Sequence, residues 1–304
     1  MISVVIPVKD GGEDLVRCLR ALTAQEVAEE VEIVVVDSGS RDDSVTVARR
    51  HGAQVHEIAP GDFNHGATRN LGASLAGGEV LVFTSQDAYA ADDGWLARLT
   101  APLADARVGG AYGRQVAHED ATPPERYFMD FLYGPRARTQ TAPTAQQLSM
   151  ETTLFSNVCS AMRRDVFERF PFADDIIMSE DQEWSRRVLL AGYELRYVAD
   201  AVVRHSHPYS LRQAFRRFFD SGVSADRAYV NTAAPESAAV LRRAAVRYAA
   251  GEVRWLVATG QARWLPYAAA LEGAKFAGLQ LGTRWRRLPP GLVRRFSAVP
   301  SYWS

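Results

Sequence analysis

The first hundred residues alternate short β-branched runs with amphipathic stretches. SVVIPV (3–8), VEIVVVD (31–37), QVHEIA (54–59) and VLVFTSQD (80–87) read as strands. Between the first two lies EDLVRCLRALTAQ (13–25), where Leu15, Cys18, Leu19 and Leu22 recur at helical spacing while Arg17 and Arg20 point elsewhere. A second helix is expected after Ser40, with Ser40 as its cap and Asp42 and Asp43 in its first turn, where acids suit the positive end of the helix dipole. This βαβα order predicts an α/β fold with a mostly parallel sheet covered by helices on both faces.

From about Glu119 to Glu151 the pattern breaks into Pro, Thr, Gln and Arg, which predicts a long loop of the kind that serves as a lid. Regular structure returns with SNVCSAMRRDVFERF (156–170), the helical DQEWSRRVLLAG (181–192) and the strand-like ELRYVADAVVRHSHP (194–208). Beyond Tyr209 the chain reads as helices rich in Ala, Arg and Trp. The expected organisation is a catalytic domain over 1–209, with nucleotide binding in 1–117 and the catalytic and acceptor part in 118–209, and a helical C-terminal extension over 210–304.

Composition changes this picture little: 304 residues, 47% hydrophobic and 23% charged, are those of a globular chain with a large core. Charge changes it more. Residues 1–203 hold 19 Lys+Arg against 31 Asp+Glu and residues 204–304 hold 16 against 5, so the two parts carry −12 and +11. A basic C-terminal part points to an anionic neighbour such as a membrane surface, or else to attraction between the two parts. Within it Arg243, Arg247 and Arg254 share one helical stripe and Leu241, Tyr248 and Trp255 another, as in a helix lying on an anionic bilayer or packed on the rest of the chain. The stretch Trp264 to Leu281 is broken by Glu272 and Lys275 and is too short to span a bilayer. Met1 leads straight into a strand, without the pattern of a signal peptide. Cys18 and Cys159 lack metal-site spacing and read as buried thiols, so a cytoplasmic location is expected, peripheral to the inner face of the membrane.

In an open α/β sheet the ligand lies beyond the carboxyl ends of the strands. Four strands end in polar residues there: Pro7-Val8-Lys9-Asp10, Asp37-Ser38-Gly39-Ser40, Ser85-Gln86-Asp87-Ala88 and His205-Ser206-His207. Asp37 can accept from a base N–H or a ribose hydroxyl, or cap the following helix. No GxGxxG follows the first strand and no GxxxxGK[ST] occurs, which argues against a dinucleotide dehydrogenase and against a P-loop nucleotidase. A bound diphosphate then needs a metal. Asp87 is a hard oxygen ligand for Mg²⁺ or Mn²⁺, and His205 and His207, at i and i+2, aim at one pocket, although one histidine suffices. Glu180, Asp181 and Glu183 surround a helix start, as caps or with one of them a base.

VVIPVKD, VVVDSGS, GATRN, VFTSQDA and SEDQEW occur in the order and spacing seen in family-2 inverting glycosyltransferases of the Rossmann-like GT-A fold, over nearly all of residues 1–209. GDFNHGATRN, the SQDA form of the DxD metal motif, HSHPYSLRQAFRRFFDSG and the final SYW resemble bacterial rhamnosyltransferases in particular. The resemblance implies a donor, dTDP-L-rhamnose, bound by Pro7, Val8, Lys9, Asp37, Arg69 and Gln86, with Asp37 on the base. It implies a metal at Asp87 with His205, or else His207, although Ser85 replaces the first acid of the motif. It makes Asp181 the general base, puts Glu180 and Trp184 on the acceptor side, and implies inversion, with a glycan or lipid-linked acceptor of surface polysaccharide synthesis read by loops 119–151 and 208–235. No nucleic-acid partner is expected, and a homo-oligomer is left open. A sugar nucleotidyltransferase is disfavoured by the short Val8–Gly12 loop, and a non-catalytic binding module by the presence of both Asp87 and Asp181.

Overall fold

The computed structural model describes residues 1–142, 144–228 and 237–303. Its first half follows the expected pattern. Strand β1 (Ile2–Val8), helix α1 (Gly12–Thr23), β2 (Val31–Asp37), α2 (Ser44–Arg50), β3 (Gln54–Glu57), α3 (His65–Leu75) and β4 (Val80–Thr84) succeed one another, with β3-β2-β1-β4 all parallel. A strand covered on both faces has no polar side, which is why β1 is apolar along most of its length. The α1 stripe Leu15, Cys18, Leu19 and Leu22 is buried as its spacing predicts. Cys18 and Cys159 are buried free thiols, both pushed up to about 12 by burial. Ser40 does not cap α2: the helix starts at Ser44, and Asp42 Oδ1 accepts the Ser44 N–H at 3.0 Å. Asp42 is structural, as expected, because its Oδ2 also accepts the Gly12 N–H at 3.0 Å.

The second half departs from a parallel pattern. After β5 (Tyr89–Ala90) and α4 (Trp95–Thr100) come β6 (Val108–Val116), α5 (Pro123–Leu132), β7 (Arg138–Gln140), β8 (Cys159–Arg163), α6 (Arg164–Arg169), α7 (Glu180–Leu190) and β9 (Glu194–Arg204). The sheet order is β3-β2-β1-β4-β8-β6-β9-β5, with β7 also beside β9. Strand β8 is antiparallel to both β4 and β6, β9 is parallel to β6, and β5 and β7 run antiparallel to β9. The sheet is therefore parallel in its first four strands and again between β6 and β9, which run the same way, with β8, β5 and β7 reversed. This reversal positions the site. Thr84 at the exit of β4 pairs with Cys159 at the start of β8, so the chain approaching β8 meets the same edge that β1, β2, β4, β6 and β9 leave.

One apolar cluster fills the face under α1 and α4, and another the face under α3, α6 and α7, with Trp184, Phe83 and Tyr112 at its centre. The span 119–151 is only partly a loop, since it holds α5 and β7. The apolar side of α5 was masked in the sequence by its two leading prolines.

Helices α8 (Leu211–Ala228), α9 (Ser237–Ala258), α10 (Leu265–Gly282) and α11 (Pro290–Phe296) form the expected C-terminal extension. A Cβ on Gly278 would lie 2.2 Å from the Phe215 carbonyl and one on Gly282 2.1 Å from that of Phe219, so the α8–α10 approach requires glycine at both places. On α9, Tyr248 packs on Tyr127 and Phe131 of α5, and Trp255 lies 5.9 Å from Tyr127. These two members of the stripe face α5, and the side chain of Leu241 lies outside the described ones. Of the segment 208–235, residues 229–235 lie outside the described residues. No helix among the described residues is long and apolar enough to cross a membrane.

Candidate active site

At the shared strand edge lies a cleft of about 500 Å³. Asp87 enters it from the turn after β4, and His205 and His207 from the end of β9. His205 Nε2 is 3.7 Å from Asp87 Oδ1, His207 Nε2 is 3.6 Å from Asp87 Oδ2, and the two Nε2 atoms are 3.1 Å apart. The three donor atoms all fall within 4.8 Å of one another. Gln115 Nε2 donates to Ser156 Oγ at 2.9 Å, which leaves Gln115 Oε1 facing His205 Nδ1 at 2.9 Å. On that arrangement Nδ1 carries the proton and Nε2 offers its lone pair to the cleft. Burial holds both imidazoles below their ordinary value, outweighing the carboxylate of Asp87, and His205 falls to about 3. Two neutral imidazoles and a carboxylate converging on one point are a donor set for a divalent cation.

The opposite wall is the start of α7. Asp181 Oδ1 accepts the Gln182 N–H at 2.8 Å and Oδ2 accepts the Asn157 N–H at 3.2 Å. Burial, and then the adjacent Glu180, push the Asp181 carboxyl up to about 7. Glu180 goes the other way. Burial alone would raise it, but the Arg69 guanidinium at 3.1 Å, His65 and the Asn157 amide at 3.1 Å together hold it below its usual value. His65 itself is lowered to about 4, chiefly by burial. One carboxylate is thus locked in a buried ion pair and its neighbour is left free to exchange a proton near neutrality. Ser179, which precedes them, sits at φ 66°, a left-handed conformation that is costly for a serine and sits where the chain turns into the cleft.

Of the residues expected on the donor side, Arg69 lines this cleft, and Pro7, Val8, Lys9, Asp37 and Gln86 form a shelf of strand ends beside it. Gln86 Oε1 accepts the Lys9 N–H at 2.8 Å and Gln86 Nε2 donates to the Lys9 carbonyl at 3.1 Å, tying the β1 and β4 exits together. The Ser38 N–H donates to the Val8 carbonyl at 2.8 Å, and Pro7 precedes it on β1. Asp37 Oδ2 accepts the N–H groups of Gly39 at 3.0 Å and Ser40 at 2.9 Å, which braces its own turn. Arg69 lines the cleft through its pair with Glu180. Trp184 does not reach the cleft. It is fully buried and lies 5.0 Å behind Phe155, which does line it. Glu180 lines the cleft while buried in its ion pair with Arg69.

Residues 3–170 match the model of the glycosyl transferase family 2. The chain belongs to the family 2 glycosyltransferases. It is 33% identical over 309 residues to the O-antigen chain rhamnosyltransferase RfbN of Salmonella typhimurium, covering all of this chain and 96% of the other. To the O-antigen chain rhamnosyltransferase WbaN of Salmonella anatum it is 34% identical over 275 residues, or 90% and 86% of the two chains. Among solved structures it shares its GT-A fold with the mannosyltransferase PcManGT of Pyrobaculum calidifontis in complex with GDP-Man and Mn²⁺. There the TM-score is 0.59 and the identity 19%, with 99% of this chain and 84% of that one covered. Residues 1–349 of S. aureus TarS in complex with UDP superimpose with a TM-score of 0.52 at 14% identity, over 94% of this chain and 91% of that one.

In this glycosyltransferase the cleft also holds residues that sequence reasoning missed. Asn157, which touches both carboxylates, lies before a strand that runs against the others, so a search of strand exits passes over it. Glu125, Arg217, Tyr267 and Lys275 come from α5, α8 and α10. Lys275 did carry a signal, as a charge inside the most apolar late stretch of the chain.

Proposed function

We propose that this glycosyltransferase moves L-rhamnose from dTDP-L-rhamnose to a hydroxyl of a glycan or lipid-linked acceptor in bacterial surface polysaccharide synthesis, with inversion at the anomeric carbon. The observation that carries the proposal is Asp181, a carboxyl raised to about 7, in one cleft with Asp87, His205 and His207. The choice of rhamnose rests on the two rhamnosyltransferases that resemble the whole chain.

Asp181 takes the proton of the acceptor hydroxyl as its oxygen attacks the anomeric carbon and the nucleoside diphosphate leaves from the opposite side. Glu180, held ionised by Arg69, keeps the wall in place and raises the basicity of its neighbour. Asp87, His205 and His207 would hold Mg²⁺ or Mn²⁺, which when bound neutralises charge on the leaving diphosphate. Pro7, Val8, Lys9, Asp37 and Gln86 shape the shelf that the nucleotide occupies, and the helical extension closes the acceptor end of the cleft.

A peripheral contact with an anionic membrane belongs to the same reading. On α9, Val246, Val253 and Val257 are 68%, 48% and 56% exposed on one side, beside the exposed Arg243 and Arg254. An outward apolar stripe flanked by arginines suits a bilayer surface.

The test is a panel of nucleotide sugars, incubated with the protein, Mn²⁺ or Mg²⁺ and a lipid-linked or synthetic glycan. Release of dTDP from dTDP-L-rhamnose, increased by acceptor, is the expected result. Release of pyrophosphate would instead mark a nucleotidyltransferase, and tight binding without turnover a binding module.

A further inference from the structure

Part of the cleft is walled by helices α5, α8 and α10. On α5, Glu125, Phe128, Met129 and Leu132 fall at i, i+3, i+4 and i+7 and present one face to the cleft, which Arg217 of α8 and Tyr267 of α10 also line. Glu125 stands out on this face. Both of its carboxylate oxygens are buried, and neither accepts a hydrogen bond among the described residues.

A glutamate at the third position of a helix ordinarily reaches back to the N–H of the capping residue. Here it does not: Thr122 caps α5 without any side-chain bond, and Glu125 points into the cleft instead. A buried carboxylate with no donor is costly to keep, and such groups persist where a ligand supplies the missing donors. Glu125 is not one of the three converging donors Asp87, His205 and His207, although its charge reaches His207 and Tyr209 beside them.

We propose that Glu125 receives two neighbouring hydroxyl groups of the acceptor's terminal sugar, whose ring lies along the aromatic side chains of Phe128 and Tyr267. A carboxylate's two oxygens match two vicinal O–H donors, and charge-assisted bonds of this kind are the strong ones. Phe128, whose ring carries Lys275 Nζ at 4.2 Å on one face, and Tyr267 both line the cleft, and their rings offer apolar surface for the C–H face of a sugar. This assignment rests on the transferase reading and specifies its acceptor side: the acceptor ends in a sugar with a free vicinal diol, and Glu125 selects it.

The experiment uses the full chain, dTDP-L-rhamnose, Mn²⁺ and a panel of octyl glycosides of mannose, galactose, glucose, rhamnose and N-acetylglucosamine. Acceptor-independent hydrolysis of the donor is measured alongside. Glu125→Gln, which keeps the shape and removes the charge, is expected to raise the acceptor KM about tenfold, with kcat falling less and the donor KM held within about twofold. Glu125→Ala is expected to raise the acceptor KM further. Because the carboxylate lacks a partner in the free protein, Tm should hold or rise in the Gln variant, whereas a structural glutamate would lower it. An unchanged acceptor KM in both variants overturns the proposal, as does a fall in Tm with both KM values moving together. A wild-type chain that hydrolyses the donor but uses no glycoside of the panel also overturns it. Absence of both donor hydrolysis and transfer in the wild-type chain would instead sink the transferase reading itself.

Discussion

Glu180 and Asp181 are neighbours in sequence with opposite chemistry, and the difference comes from what each side chain meets. Glu180 meets a guanidinium, and Asp181 meets two backbone N–H groups and the charge of Glu180. A base is active when deprotonated, so the transfer rate should rise with pH through about 7 and level off above it. Asp181→Asn should lower kcat by about 10² to 10⁴ and leave donor affinity within a few-fold. The same residue sets a stability sign. Its folded value lies above the unfolded 3.8, so the native state holds the extra proton and stability is lost as pH rises from about 4 to about 7. The Asn variant should therefore melt above the wild type at pH 8, with the gap closing in acid. A variant of normal turnover, or one that melts lower at pH 8, removes Asp181 from its role. Asp87→Ala should weaken donor binding in the presence of metal, and calorimetry that finds donor affinity and its metal dependence unchanged ends the assignment. Two imidazole donors favour Mn²⁺ over Mg²⁺, so the wild type should reach half-maximal activity at lower Mn²⁺.

Among the elements, the legible ones carried a periodic signal: β1, β2 and β4 as apolar runs, α1 as a stripe, and the polar residues at their exits. The Asp87, His205 and His207 group could be read because an exit residue of a strand faces the ligand edge whatever the neighbouring strand does. What could not be read was pairing. Nothing in CSAMR says that β8 runs against β4, and that reversal alone brings Asn157 to the carboxylates. Nor could the sequence show that Trp184, one turn from Asp181, turns into the core, or that α5 hides within a Pro- and Thr-rich span. The C-terminal helices reach the cleft through close packing of α8 on α10, and that packing can be tested. Gly278→Val places side-chain atoms against the Phe215 carbonyl and should cost about 1–3 kcal/mol of stability, read as a lower Tm. As α10 carries Tyr267 and Lys275 to the cleft, the acceptor KM should rise more than the donor KM. Equal changes in both would show that α10 takes no part in acceptor binding.

For the whole molecule the dominant fact is the charge division, −12 over residues 1–203 and +11 over 204–304. Attraction between the parts accounts for some of it: Arg227 pairs with Asp175 at 2.5 Å and Arg247 lies 3.9 Å from Glu151. Among the described residues Arg243 and Arg254 make no such pair with the acidic part, and both lie exposed beside the apolar stripe of α9. Tyr248 and Trp255 turn inward and hold the helix on α5, so α9 is anchored on one side and displays valine and arginine on the other. Attraction to an anionic bilayer is worth about 1 kcal/mol per arginine near the surface and falls within a Debye length. Co-sedimentation with vesicles containing a third phosphatidylglycerol should therefore be measurable at low salt, weaken as salt is added, and be absent with neutral vesicles. Replacing Val246 and Val253 together by Glu should abolish it without moving the inward stripe. If the wild-type chain stays in solution at low salt, the exposed side of α9 is not a membrane face, and a concentration-dependent change in its sedimentation coefficient would assign that side to a second copy of the chain.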